Sequence, residues 1–591
     1  MACAVYAQTA QYDFAYDDLQ VIRERPLFHS LANWREILTA SWWPNHNLYR
    51  PFTALTLAMN WAASGGNPTA FHVTNIILHA FAAVLVYLLA RQLLGTGGGL
   101  AAGLLFAVHP VHVEAVANLV GRAEVLATIF VVIAVLAYAL DGRLADAGDD
   151  RSWRRFGTAA VTLTAATLAL ASKESAFALP GLLLLIDWLD ASVRGKRGLG
   201  VERHWVLWLG AVGVTFAWLL WRANVVGDLT GKEAAPGLED TGLIGRTVAM
   251  LPVVLQYGRL LFFPARLSAD YSPNFLVLGS WLTLPTLAGL VALVGSGAIA
   301  WIARHRAPVI TFSLGWIAAT ILVVANILVP TGVILAERTL YLPSVGAMLL
   351  LGWFARAGWT RWPMPALAAV GLLVGAGAAR TVTRNPVWRN NATLFPQIVR
   401  DAPGSSHSAW VAGGMAEQAG DLKEAEHRYR ESLAIYPLAW NAWRDLGRVI
   451  NAQGRYAEAG DAWWASWRLN NNALITAQRS ILAALRVGQV DSADARLAIA
   501  LAARPESWEL WLAGGQVAMA EGKPLKAMTL WRQAALQFPD TARFWGLTGE
   551  AALQARQCPE LLRSIDHLRG LKAESAGVAP LEEGARTLGC H

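Results

Sequence analysis

The sequence has little cysteine and little charge. Only three cysteines, Cys3, Cys558 and Cys590, occur in 591 residues, which excludes a disulfide framework and leaves open only a Cys558–Cys590 bond, outside the cytoplasm. Charged residues make up 15% of the chain, against about 25% in a typical soluble domain. A Gly-rich phosphate loop, a CxxC pair and a GxSxG elbow are all missing, so soluble nucleotide chemistry has no support. No HExxH-type metal spacing occurs either. Lysine is scarce beside arginine, while alanine and glycine are abundant, as in chains from GC-rich bacterial genomes.

What is plentiful is apolar. A hydrophobic content of 55% and a mean hydropathy of +0.36 are those of a membrane protein. The net charge of +7 does not point to nucleic acid, because most basic residues sit in short loops between apolar runs, where they act as topology signals. Near residue 381 the apolar runs give way to polar helical patterns. The chain is therefore read as an outer loop (1–69), a multi-span membrane domain (70–380), a linker (381–405) and a second domain (406–591).

Membrane spans are expected at 70–90, 97–108, 124–140, 157–172, 176–190, 205–222, 280–303, 308–328, 340–356 and 363–380. Arg246 and Arg259 interrupt the apolar stretch Leu243 to Phe263, which reads as an interfacial or re-entrant helix. Alternate loops then collect Arg91; Arg143, Arg151, Arg154 and Arg155; Arg194, Lys196, Arg197 and Arg203; Arg304 and Arg306; Arg356 and Arg361. These loops are expected in the cytoplasm, which puts every motif-like polar loop and the second domain on the outer face. Arg380, Arg384 and Arg389 count weakly against that orientation.

The second domain is periodic. Gly420, Gly454, Gly488 and Gly522 are spaced by 34 residues, Ala425, Ala459, Ala493 and Ala527 keep the same phase, and Pro437, Pro505 and Pro539 share a lattice with Asn471 in the gap. That is the tetratricopeptide (TPR) period, and it implies about four helix pairs with a degenerate unit or cap near Arg556 to Leu562. Such a solenoid offers a groove for an acceptor or partner protein.

Polar clusters punctuate the outer loops. In "HPVHVEAVANLVGRAE", a helix begun at Pro110 would align Glu114, Asn118 and Arg122 in one stripe, with His109 and His112 at its start. Spacing leaves two readings open: a pocket wall, or an interfacial helix whose Arg122 pairs with Glu114 or Glu124. "ASKESA" holds Lys173 and Glu174, and "LAERTLYLPSVG" holds Glu337 and Arg338. Each pair is either self-neutralising or part of a phosphate site. "YDFAYDD" holds Asp17 and Asp18, whose adjacency suits a general base or a divalent cation site. Arg50 opens an amphipathic stretch, and His72, Asn75 and His79 share a helix face.

The order of "YDD", "YRPFTALTLAMNW", "FHVTNIILHAFAAVLVY", "HPVHVEAVANLVGRAE", "SKESAFALPGLLLLIDW", "FPARLSADYSP", "AERTLYLPSVG", "WRNNATLF" and TPR units resembles that of the transmembrane and TPR repeat-containing protein O-mannosyltransferases and their bacterial relatives, over nearly the whole chain. The resemblance implies an all-α fold: a polytopic GT-C membrane helix bundle followed by a TPR α-solenoid. It also implies a polyprenyl-phosphate sugar donor, a serine or threonine acceptor, and an active site facing the periplasm from a bacterial inner membrane, or the lumen of the endoplasmic reticulum in a eukaryote. Within that frame Asp17 and Asp18 are catalytic. His109, His112, Glu114, Arg122, Glu124, Lys173, Glu174, Glu337 and Arg338 bind the donor, with support from Arg50, His79, Asp270, Tyr271 and Tyr341. On this reading, alanine at Arg122 or Asp18 abolishes transfer without unfolding the chain.

The family pattern places a membrane helix before the acidic loop, whereas "MACAVYAQTAQ" is too short to span. A missing upstream helix is the expectation here. Competing functions are a transferase acting on a lipid or glycan acceptor, a non-enzymatic TPR scaffold, and a transporter, the last disfavoured by the absence of inverted repeats.

Overall fold

A computed structural model describes residues 1–43, 48–146, 152–194, 204–229, 234–239, 241–571 and 577–590. Arg151, Lys196, Arg197 and Arg203, which the sequence marks as topology signals, lie outside the described residues. The chain divides into two compact units, Met1–Ser408 and Ala409–His591.

The first unit is helical because its sequence is made of long apolar runs that open on proline. Pro51, Pro68, Pro308 and Pro363 each take the first position of a helix, where the missing N–H costs nothing. The ten expected spans correspond to ten helical segments. The first two are the halves of Pro68–Val108, which doubles back at Gly95 (φ 76°, ψ −179°), so that a Cβ on Gly103 would sit 2.8 Å from Tyr87 Cβ and His79 Nε2 lies 3.2 Å from the Ala107 carbonyl oxygen. The others are Arg122–Asp146, Ser152–Ser172, Leu179–Val193, Trp205–Val226, Leu284–Arg306, Pro308–Val324, Tyr341–Arg361 and Pro363–Arg384. Among the described residues seven segments are long and apolar enough to cross a bilayer, and Pro308–Val324 is a shorter apolar helix. Leu243–Phe262 is also helical, with Pro252 inside it.

The stripe expected from Pro110 to Arg122 does not form. The chain makes a 3₁₀ turn at Pro110–His112 and one helical segment at Val113–Ala117. It then becomes extended at Asn118 (φ −80°, ψ 119°) and turns again through Leu119–Gly121. The fold-back is so tight that a Cβ on Gly121 would sit 2.5 Å from the Ala115 carbonyl oxygen, which requires glycine there. Residues 381–405 also carry structure: the last helix of the bundle runs to Arg384, and Asn391–Asp401 forms a further helix.

The second unit is a ladder of helix pairs: Leu422–Ile435 follows Ser406–Gln418, then come Trp440–Ala452 with Tyr456–Leu469, Leu474–Arg486 with Val490–Ala503, and Trp508–Ala520 with Pro524–Gln537. The four lattice glycines make the intra-pair turns at φ between 71° and 81°. The four lattice alanines are fully buried where the helices meet. The degenerate unit is a complete fifth pair, Ala542–Gln554 with Cys558–Gly570, and Val578–Leu588 follows it.

Cys558 and Cys590 form a disulfide across 32 residues. Breaking it should release the terminal helix: with both cysteines changed to alanine, amides of Val578–Leu588 should exchange about 100-fold faster, the equivalent of roughly 3 kcal/mol of lost loop-closure constraint. Unchanged protection would show that packing alone holds the helix.

Candidate active site

The two adjacent aspartates have opposite fates. Asp18 is fully buried. Its Oδ1 accepts the Val120 N–H at 2.9 Å, and its Oδ2 accepts those of Leu119 and Ala15 at 3.2 and 3.3 Å. Burial pushes its pKa up, to about 7, against the downward pull of those three donors and with a further upward push from Asp17. Asp18 therefore ties the acidic loop to the turn at Leu119–Gly121. Asp17 points elsewhere: its Oδ2 meets Arg338 Nη1 at 3.0 Å, and its side chain keeps 14% of its surface open.

Arg338 is the hub of the site. Its Nη1 also lies 3.3 Å from Glu114 Oε1, and its backbone N–H donates to Glu114 Oε2 at 2.9 Å. Burial raises the Glu114 pKa, while the Arg338 guanidinium and N–H pull it down. Beside this triad Lys173 pairs with Glu124, which also accepts from Ser175 Oγ at 3.4 Å. Burial lowers the Lys173 pKa and Glu124 opposes the shift, while Arg50 and Arg338 both act on the ammonium at longer range. Arg50 completes the set, donating from Nε and Nη2 to Glu174 Oε2 at 3.0 and 2.9 Å.

Neither Lys173–Glu174 nor Glu337–Arg338 neutralises itself, because each member draws its partner from another element. The result is one interleaved group of Asp17, Glu114, Glu124 and Glu174 with Arg50, Lys173 and Arg338, in which each carboxylate meets a cation and Arg338 is shared by Asp17 and Glu114. Its accessible edge belongs to Asp17, Arg338, Arg50 and Glu174, whose side chains are 14%, 22%, 13% and 25% exposed.

Arg122 lies outside that group. It is fully buried, and it donates from Nε to Asn75 Oδ1 at 2.7 Å, from Nη1 to the Thr56 carbonyl at 3.1 Å and from Nη2 to the Phe71 carbonyl at 3.1 Å. Its side chain pairs with neither Glu114 nor Glu124, because the break at Asn118 turns it away.

The histidines form a cluster of their own. His79 Nδ1 bonds Tyr341 Oη at 2.7 Å, His112 Nε2 bonds Ser344 Oγ at 2.8 Å, and His109 Nε2 bonds the Leu261 carbonyl at 3.1 Å. Burial pushes the His109 pKa down to about 4 and His112 well below the usual histidine range. Both are neutral at physiological pH and contribute hydrogen bonds rather than charge.

Glu337 accepts the Ser268 N–H at 2.6 Å and the Tyr271 hydroxyl at 2.7 Å. Asp270, in the same loop, accepts from the N–H and Oγ of Ser272 at 3.0 and 3.2 Å and from Ser405 Oγ.

Sequence reasoning missed Arg222, a buried arginine in the apolar run Trp205–Val226 that bonds the Asp228 carbonyl at 2.7 Å and feels the charges of Glu174 and Arg50. An arginine inside an apolar run was the available signal. Tyr16, Asn391 and His407, which surround the acidic loop, were missed as well.

No group of three or more His, Cys, Asp and Glu side chains suited to a metal occurs among the described residues. Asp18 accepts three backbone N–H groups while Asp17 faces Arg338, so the two carboxylates are directed to different partners.

The profile of the tetratricopeptide repeat family matches residues 415–470, 480–531 and 512–576. The chain is similar to proteins named protein O-mannosyl-transferase. It is 27% identical to Tmtc3 of Drosophila melanogaster over 78% of this chain and 57% of that protein. It is 28% identical to Tmtc1 of the same organism over 78% and 59%, and 23% identical to TMTC3 of Mus musculus over 92% and 64%. The chain spans about three-fifths of the length of these curated relatives. Among solved structures, that of YrrB, described as a TPR protein with an unusual peptide-binding site, is 15% identical and covers 32% of this chain and 97% of its own, with a TM-score of 0.28. The chain is similar to the TMTC proteins, and its described residues are nearly all helical, with helices of membrane-crossing length and composition followed by TPR repeats.

Proposed function

We propose that this protein is a membrane glycosyltransferase that moves a mannose-like hexose from a polyprenyl-phosphate donor to serine or threonine hydroxyls of proteins, on the periplasmic or luminal side. The observation that carries this reading is Asp17, a carboxylate with an open edge held by Arg338, with Lys173 and Arg50 in the same charged group. The acceptor oxygen attacks the anomeric carbon, and the bond from that carbon to the phosphate oxygen breaks. Asp17 takes the hydroxyl proton, and polyprenyl phosphate leaves with the electron pair. Arg338, Lys173 and Arg50 stabilise the charge that develops on the leaving phosphate, and Glu114, Glu124 and Glu174 hold those cations in place before the reaction begins.

Two features support the side and the acceptor. A disulfide at Cys558–Cys590 suits an oxidising compartment. The repeat unit suits an extended polypeptide, which favours a protein acceptor over a lipid or glycan.

The test is glycopeptide mass analysis of envelope or luminal proteins from cells carrying the intact gene, a deletion, or Asp17→Asn. A hexose on Ser or Thr peptides that persists in both mutants would end the protein-acceptor reading, and unchanged glycolipids and polysaccharides as well would leave the scaffold. The donor phosphate is proposed to be held by side-chain cations alone. Transfer in excess EDTA should therefore proceed at the untreated rate, and a loss restored by Mg²⁺ or Mn²⁺ would show that a divalent ion completes the site.

A further inference from the structure

The "WRNNATLF" stretch and the segment around His407 have no part in the chemistry above, yet both reach the acidic loop. Tyr16, directly before Asp17, has φ of +55°, a left-handed conformation that side-chain-bearing residues avoid unless their surroundings impose it. Its backbone N–H donates to Asn391 Oδ1 at 2.7 Å, and its hydroxyl bonds His407 Nε2 at 3.0 Å.

Both partners are braced. Asn391 is the first residue of the helix Asn391–Asp401, whose start is closed by a reciprocal capping box between Asn390 and Thr393. The His407 N–H donates to Ser272 Oγ at 3.3 Å, and His407 Nδ1 lies 3.6 Å from Asp270 Oδ1. Upstream, the Asp13 N–H bonds the Arg389 carbonyl at 3.0 Å. The left-handed residue is thus fastened at its N–H and at its hydroxyl by groups far away in sequence.

The left-handed turn decides where the two carboxylates go. Asp18 is tied to Leu119 and Val120. With Asp18 anchored, a change of Tyr16 to an ordinary backbone region would swing Asp17 away from Arg338.

We propose that Asn391, His407 and Tyr16 form a backbone lock whose role is to aim Asp17. They are positioning residues, and the proposal rests on Asp17 being the proton acceptor.

The test uses the full-length chain in lipid bilayers, with polyprenyl-phosphate mannose and a Ser/Thr peptide as substrates. Carbodiimide labelling of Asp17, read by peptide mass spectrometry, needs no substrate and reports whether the carboxylate has left Arg338. In Asn391→Ala, labelling should rise about fivefold or more and kcat should fall roughly 10- to 100-fold with KM for the peptide little changed, as expected for a misaimed group. Asn391→Asp keeps the accepting oxygen and should restore both. Tyr16→Phe, which removes one hydroxyl, should move both readouts the same way by about twofold or more.

Unchanged Asp17 labelling in Asn391→Ala would overturn the lock, as would Asn391→Asp behaving like alanine in protein of native unfolding temperature. Should Asn391→Ala fail to fold, unchanged labelling in Tyr16→Phe overturns it equally. Full transfer by Asp17→Asn would instead overturn the base assignment, and the labelling result would still judge the lock.

Discussion

Asp17→Asn should lower the rate of sugar transfer by about 10²- to 10⁴-fold, the usual contribution of a general base, and leave the unfolding temperature unchanged. Asparagine keeps the shape and one oxygen for Arg338 Nη1, which sits 3.0 Å from the native carboxylate, but it cannot accept the hydroxyl proton. The neighbouring substitution should do the reverse. In Asp18→Asn one oxygen remains where two now accept three backbone N–H groups. An amide NH₂ then faces a buried donor, at a cost of about 1–3 kcal/mol. Asp17→Asn should therefore appear in kinetics and Asp18→Asn in thermal unfolding. Full transfer by Asp17→Asn, or native stability in Asp18→Asn, would refute the division of roles.

Local geometry made the repeats legible in the sequence. A turn that needs positive φ selects glycine, and a close helix crossing selects alanine, so both recur at 34 residues. The fifth pair was harder to see because Arg556 takes the glycine position at φ 54° and Leu561 stands in the alanine phase. Span composition was equally plain, and Gly95, at φ 76°, makes the fold-back between the first two expected spans.

The types of side chain in the site were also visible, since a charge set among apolar runs is costly to keep unless it faces a partner or a cavity. Their pairing was not. Arg338 and Asp17 are 321 residues apart, and Lys173 and Glu124 are 49 apart. Helical spacing misled in 109–124 because Asn118 leaves the helix, and nothing in the letters around Tyr16 marks a left-handed tyrosine.

Arg122 is where that misreading has its largest consequence. Arg122→Ala should cost about 3–5 kcal/mol, a large share of the 5–15 kcal/mol by which proteins are usually stable, so that little folded protein accumulates. The side chain is fully buried, and its loss would leave Asn75 Oδ1 and the Thr56 and Phe71 carbonyls without their donor. It would also remove the guanidinium from 5.7 Å above the Phe71 ring. Arg122→Lys should recover only part of this, because one ammonium cannot reproduce a planar fork directed at three separate acceptors. Arg338→Ala should differ in kind: its guanidinium borders the open edge of the site and Glu114 keeps the backbone N–H of residue 338, so stability should fall less than in Arg122→Ala while transfer is lost in the protein that folds. Thermal unfolding and transfer measured on both variants separate the cases. If Arg122→Ala melts like the native chain and yet transfers nothing, Arg122 belongs with the donor-binding cations, and the loop after Asn118 must move when the donor binds.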